Sequence, residues 1–175
     1  MDPSTAPAGT PTPIHRNTKR AGELSEAAFL LKAETLGLHC TKPWGDSDRY
    51  DFILDNHRRL WRVQVKSTEV VRARGYDVQP TYSIYGKGKI AYTADDIDIL
   101  AVHIPPLDTW YIIPVEAFTP RRSLRLYPNI PCKCARWENY HQAWHIVQVA
   151  VCSVGAPPAA FDQGPCGADT PVRRR

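Results

Sequence analysis

The chain has 175 residues, 43% of them hydrophobic and 23% charged: enough apolar material for one buried core, and too much for a wholly disordered chain. A formal charge of +4 neither demands nor excludes a polyanionic partner. No apolar run approaches the ~18 residues of a membrane span. The opening Met1-Asp2-Pro3-Ser4 has neither the basic nor the apolar region of a secretory signal, so a cytoplasmic location and no membrane partner are expected.

Proline divides the chain. Of 16 prolines, four lie in residues 1–17 and four in 153–175, leaving 16 − 8 = 8 for everything between. Both ends are also rich in Ala, Gly, Ser and Thr, which predicts a disordered Pro-rich tail over 1–17, a folded domain over 18–152 and a second disordered tail over 153–175. The domain alone carries 18 basic and 15 acidic residues, a balance of +3; Arg173, Arg174 and Arg175 lie outside it.

The first helix is predicted from Lys19 to about Leu36, closed by Gly37. On the helical wheel Leu24, Ala27, Ala28 and Leu31 form one apolar face, and Phe29, Leu30, Ala33 and Leu36 extend it around the other side. Glu26 falls between Leu30 and Ala33, where a carboxylate is either desolvated for a reason or placed at a rim. Glu23 lies in a polar strip with Glu34.

A short strand over Leu38–Thr41 and a loop over Lys42–Arg49 follow. Tyr50–Asp55 and Leu60–Ser67 then read as a hairpin turning at Asn56-His57. Strand alternation puts Trp61, Val63 and Val65 on one face with Tyr50, Phe52 and Leu54. Arg62, Gln64 and Lys66 share the other face with Asp51. Val70–Tyr92 is a basic and aromatic excursion containing Arg72, Arg74, Lys87 and Lys89, the best candidates for nucleic-acid contact; Arg121, Arg122 and Arg125 form a second basic group. Ile97–Ile104 reads as a buried strand, with Trp110–Val115 as its mate and Pro114 marking an end or an edge. A short helix at Val115–Phe118 and a last one from about Trp137 to His145 complete the domain. Trp61, Trp110, Trp137 and Trp144 are read as core.

Five cysteines, an odd number, read as reduced thiols. Cys132, Cys134, His141 and His145 have the donor chemistry of a tetrahedral zinc site, which makes a zinc-stabilised interaction domain one alternative. Their spacing is tighter than that of common zinc fingers, and an amphipathic packing helix is the favoured reading of this segment.

Glu26, Asp51, Gln64 and Lys66 together have the makings of phosphodiester hydrolysis. Two carboxylates offset the charge of a divalent cation, and a lysine on the same strand face supplies positive charge near the reacting phosphate. The segments Gly22-Glu23-Leu24-Ser25-Glu26-Ala27-Ala28-Phe29, Arg49-Tyr50-Asp51-Phe52 and Arg62-Val63-Gln64-Val65-Lys66-Ser67 resemble the PD-(D/E)XK nuclease superfamily. Within it the chain is most similar to the group I intron-associated and Holliday-junction-resolvase-like endonucleases. The resemblance spans about Lys19 to Phe118 and implies a restriction-endonuclease-like α/β core, a central mixed sheet flanked by helices. It implies Asp51, Gln64 and Glu26 as metal ligands and Lys66 as the catalytic lysine, with Glu23 the competitor for the role of Glu26. It further implies Mg²⁺, with Mn²⁺ as a substitute, DNA as the substrate, and cleavage by a metal-activated water. Gln64 stands where the superfamily usually has Glu or Asp, so a catalytically lapsed DNA-binding module of the same fold is the second alternative. Cutting two strands needs two sites, hence a homodimer or higher homo-oligomer is expected.

Overall fold

The structure, a computed structural model, describes residues 18–45, 47–128 and 130–148. The tails expected at 1–17 and 153–175 lie outside the described residues. Helix α1 (Thr18–Thr35) ends as its sequence demands. Gly37 adopts φ 74°, its N–H bonds to Glu34 O at 3.0 Å and Leu38 N–H bonds to Ala33 O at 3.1 Å, so two carbonyls otherwise orphaned at the helix end are satisfied.

Three antiparallel strands follow: β1 (His39–Thr41), β2 (Phe52–Asp55) and β3 (Leu60–Ser67). The β2–β3 turn is held by Asn56, whose side-chain oxygen accepts from Arg58 N at 3.1 Å and Arg59 N at 2.8 Å, while His57 takes φ 65°. The basic excursion folds as two hairpins, β4 (Val71–Arg72) with β5 (Gly75–Val78) and β6 (Thr81–Ile84) with β7 (Gly88–Ala91). The chain returns as β8 (Ile99–Ile104), parallel to β3, and β9 (Thr109–Pro114) runs back antiparallel at the sheet edge. Helix α2 covers Val115–Phe118. A strand the sequence does not announce, β10 (Leu124–Leu126), pairs with β5. Gly75 is the residue that permits it: a Cβ there would stand 2.7 Å from Arg125 Cγ and 2.8 Å from the Tyr127 ring.

The main sheet has the order β1-β2-β3-β8-β9, mixed in direction, with α1 packed on one face. This is the α/β architecture expected. Alternation along β8, buried at every residue, explains why two cores exist. Ile99 and Ala101 join Phe29, Phe52, Val63, Val65 and Trp110 beneath α1, whereas Leu100, Val102 and Ile104 join Tyr111, Ile113, Phe118 and Trp137 on the opposite face. On β3 the same alternation puts Val63 and Val65 under the helix. Gln64 and Lys66 are left on the far face, beside Leu100 and Val102 of β8.

Three expectations are corrected. The apolar stripe Leu24, Ala27 and Leu31 is not the packing face: Leu24 is 62% and Leu31 69% exposed, while Phe29 and Ala33 are buried. Phe29 decides the orientation, because its ring meets Phe52, Trp110 and Trp144 at centroid distances of 5.4, 5.7 and 5.7 Å. Tyr50 packs against the core of the opposite face rather than with Phe52 and Leu54, since the chain leaves the β2–β3 ladder before it. The last helix is absent. Trp137–His145 instead contains 3₁₀ turns at Glu138–Tyr140 and Trp144–Ile146. Between them Gln142 takes φ 50° and gives its N–H to Trp110 O at 2.7 Å, so the exposed edge of β9 captures a donor that a helix would have used internally.

Candidate active site

Asp51 stands at the point where the β2–β3 ladder opens. Its N–H still bonds to Val63 O at 2.9 Å, but its side chain replaces the next rung: Oδ2 accepts from Val65 N at 2.8 Å and from Gln64 Nε2 at 2.6 Å. Burial pushes the Asp51 carboxyl above the usual aspartate value. The Val65 N–H pulls it back, and Glu26 raises it again. The Gln64 amide also donates to Val65 O at 3.1 Å, so its nitrogen side faces the cluster. Coordination through the amide oxygen, as the sequence suggests, requires the amide to turn over.

Lys66 lies one alternation beyond Gln64, largely removed from solvent. Burial lowers its ammonium from the usual lysine value, against the opposing pull of Asp51 and Glu26, and its Nζ sits 5.6 Å from the centre of the Tyr92 ring. Glu26 arrives from α1, and its Oε2 accepts from Lys42 Nζ at 2.7 Å. The structure thus brings Glu26, Asp51, Gln64 and Lys66 into one electrostatically coupled cluster. Arg62, on the same strand face, is committed elsewhere: its N–H and Nε bond to Asp98 Oδ2 at 2.8 and 3.2 Å, and its Nη2 reaches Ala94 O at 2.6 Å.

From Lys66 a groove of about 860 Å³ runs past Thr68, Arg72, Gln79, Tyr82 and Lys89 to the start of α1. Arg72 and Lys89 line it, whereas Arg74 and Lys87 project from the tips of the two hairpins, all four exposed. Arg121, Arg122 and Arg125 are exposed as well, near β10. Trp110, Trp137 and Trp144 are buried and Trp61 half-buried, in keeping with core roles. The cysteine–histidine set is not a metal site: among the described residues no three His, Cys, Asp or Glu side chains gather to hold an ion. His141 is engaged at both ring nitrogens, with Thr109 Oγ1 at 2.6 Å and Glu138 Oε1 at 3.1 Å. Cys40, Cys132 and Cys134 are free thiols.

Residues 16–147 match the sequence family described as PD-(D/E)XK endonuclease. The chain belongs to that family. Among solved structures it is similar to a bacterial homing endonuclease, I-Ssp6803I, at 25% identity and a TM-score of 0.67, over 75% of this chain and 93% of that one. It is also similar to MepB, at 12% identity and a TM-score of 0.38, over 61% of this chain and 83% of that one. No curated protein matches the chain in sequence.

The PD-(D/E)XK residues present fit a hard divalent cation. Asp51 is desolvated and its charge is further disfavoured by the Glu26 carboxylate, so a cation held by the two would relieve both penalties on Asp51. Among the described residues no third acidic side chain gathers with them, and the Gln64 amide, bonded to Asp51, is a neutral group at hand to add an oxygen. Sequence reading missed two members of this PD-(D/E)XK cluster. Lys42 lies 16 residues beyond Glu26 across a helix end and a loop, and no periodicity carries across such a gap. Tyr92 sits in the excursion read as a DNA-contact loop, yet is buried against Lys66.

Proposed function

We propose that the protein is a metal-dependent endonuclease that hydrolyses DNA phosphodiester bonds. The observation that carries this reading is the coupling of Asp51 and Glu26 to the desolvated Lys66, which lines a groove together with Arg72 and Lys89. A divalent cation, Mg²⁺ or Mn²⁺ as its substitute, supplies Lewis acidity when bound: it acidifies a water and offsets phosphate charge. Asp51 and Glu26 would hold that cation, Asp51 being fixed in place by the Val65 N–H. The Gln64 amide would add a neutral oxygen once turned, giving up the Nε2 bonds to Asp51 Oδ2 and Val65 O. Lys66, beside Asp51 and Glu26, would stabilise as an ammonium the charge developing on the phosphate. Arg72, Arg74, Lys87 and Lys89 meet backbone phosphates along the groove and at the hairpin tips. Cleavage of both strands takes two copies of the site, so the working unit is a homodimer or larger homo-oligomer acting in the cytoplasm.

Incubation of the full chain with supercoiled plasmid tests the reading. Nicking in Mg²⁺ or Mn²⁺ that stops with EDTA and is lost in Asp51→Ala and Lys66→Ala supports it. Wild-type protein that binds the plasmid but never cuts it in either metal overturns it in favour of a lapsed DNA-binding module.

A further inference from the structure

Lys42 occupies a place in the site that no motif accounts for. It opens the loop between β1 and β2, and its ammonium lies 2.7 Å from Glu26 Oε2 and 5.8 Å from the centre of the Phe52 ring. The two partners are unequally placed: the Lys42 side chain is 60% exposed and that of Glu26 25%. Lys42 can therefore swing into solvent at little cost, whereas Glu26 stays in the cluster. The Lys42 charge also reaches beyond its partner, since Asp51 and Glu23 both act on it.

We propose that Lys42 is a positioning residue that holds the Glu26 carboxylate in the metal-free protein, competes with the divalent cation for it, and on release turns to the DNA phosphates entering the site. This rests on the metal-nuclease reading above. The physical basis is competition: an ammonium 2.7 Å from Oε2 already offsets the charge of this carboxylate and repels a second cation brought to it. A phosphate that attracts Lys42 outward thereby favours metal binding, and by reciprocity metal favours DNA. The exposed position of the ion pair keeps its strength small, which suits a contact that must break in every catalytic cycle.

Isothermal titration of the DNA-free full-length protein with Mn²⁺ alone tests this, using Lys42→Met, Lys42→Arg, Glu26→Gln and the Lys42→Met/Glu26→Gln double variant. Lys42→Met is expected to tighten Mn²⁺ binding about three- to five-fold, the scale of an exposed ion pair, and Lys42→Arg to leave it within about two-fold. In the Glu26→Gln background the gain from Lys42→Met should vanish, because the contact it relieves is already gone. An equal gain in both backgrounds overturns the proposal, since it marks a general field effect, and so does unchanged or weaker binding by Lys42→Met. Asp51→Asn separates the two readings. If it binds Mn²⁺ as wild type does, the metal site itself is wrong and the role of Lys42 falls with it; if it does not bind while Lys42→Met matches wild type, only the role of Lys42 falls.

Discussion

The Gln64 amide nitrogen lies 2.6 Å from Asp51 Oδ2, so a neutral side chain turns its positive end toward the one carboxylate of the site that burial most disfavours. This bond favours the charged form of Asp51 against its burial. Gln64→Glu exchanges that donor for a third negative charge beside Asp51 and Glu26. At neutral pH it should lower the stability of the metal-free protein by about 1–3 kcal/mol, the range for a lost partner at a buried polar group. It should also tighten Mn²⁺ binding about ten-fold through the added charge. Thermal melts with and without Mn²⁺ check both: a Gln64→Glu protein as stable as wild type without metal contradicts the first, and one that gains no more from Mn²⁺ than wild type contradicts the second.

Asp51→Asn should separate stability from activity. Burial first, and then Glu26, raise the Asp51 carboxyl above its usual value of 3.8, against bonds from Val65 and Gln64 that pull it down. The folded state therefore holds a proton here at pH values where the unfolded chain has already lost it, and stability falls as pH rises through that interval. Asparagine keeps an oxygen for the Val65 N–H and carries no charge. The variant should melt above wild type at pH 7, with the advantage shrinking to nothing below about pH 3.8, and should lose at least about 10²-fold in cleavage rate. Melts across that pH range on the metal-free protein, beside a nicking assay, measure both. A variant that melts below wild type at pH 7 contradicts the assignment.

The grouping of Asp51, Gln64 and Lys66 was legible in the sequence because strand alternation and a short hairpin are local rules, and Asp51 is adjacent to the last rung of β2–β3. What failed had non-local causes. The wheel of α1 carries two apolar arcs, and only the aromatic pocket of Phe52, Trp110 and Trp144, assembled from three distant segments, selects the Phe29 arc. The Trp137–His145 segment has a helical pattern, but the Gln142 N–H goes to Trp110 O on the edge of β9 and the bonds around it close only short local turns. Leu124-Arg125-Leu126 is too short to announce a strand until Gly75–Val78 is beside it. Lys42 shares no repeat with Glu26, so the ion pair between them could be seen only in three dimensions.

The orientation of α1 is testable by a pair of substitutions. Phe29→Ala removes the ring at the centre of the aromatic cluster and should cost about 3–5 kcal/mol. Leu31→Gln, two residues away on a side chain 69% exposed, should change stability by no more than about 0.5 kcal/mol. Urea titrations of the two variants beside wild type give the comparison, and similar losses for both would return the helix to the orientation its wheel first suggests.

His103 connects the same helix to pH. Its Nδ1 lies 3.0 Å from Ser25 Oγ, the residue preceding Glu26, and its ring stacks on Trp110 at 4.2 Å and 7°. Burial lowers its basicity below the usual 6.5, and the exposed Asp108 carboxylate, 3.7 Å from Nε2, opposes this only weakly. The native state thus keeps His103 neutral at pH values where the unfolded chain protonates it. The sign follows: stability is fully present above about pH 6.5 and is lost as pH falls from there toward the lowered native value. His103→Gln removes the titration and retains a polar partner for Ser25, at a cost of about 1 kcal/mol at pH 7.5 from the lost stacking. Between pH 7.5 and 5.5 the wild type should lose stability more steeply than the variant, closing the gap. Urea midpoints at the two pH values decide it, and parallel losses in both proteins would show that a group other than His103 sets the acid limb.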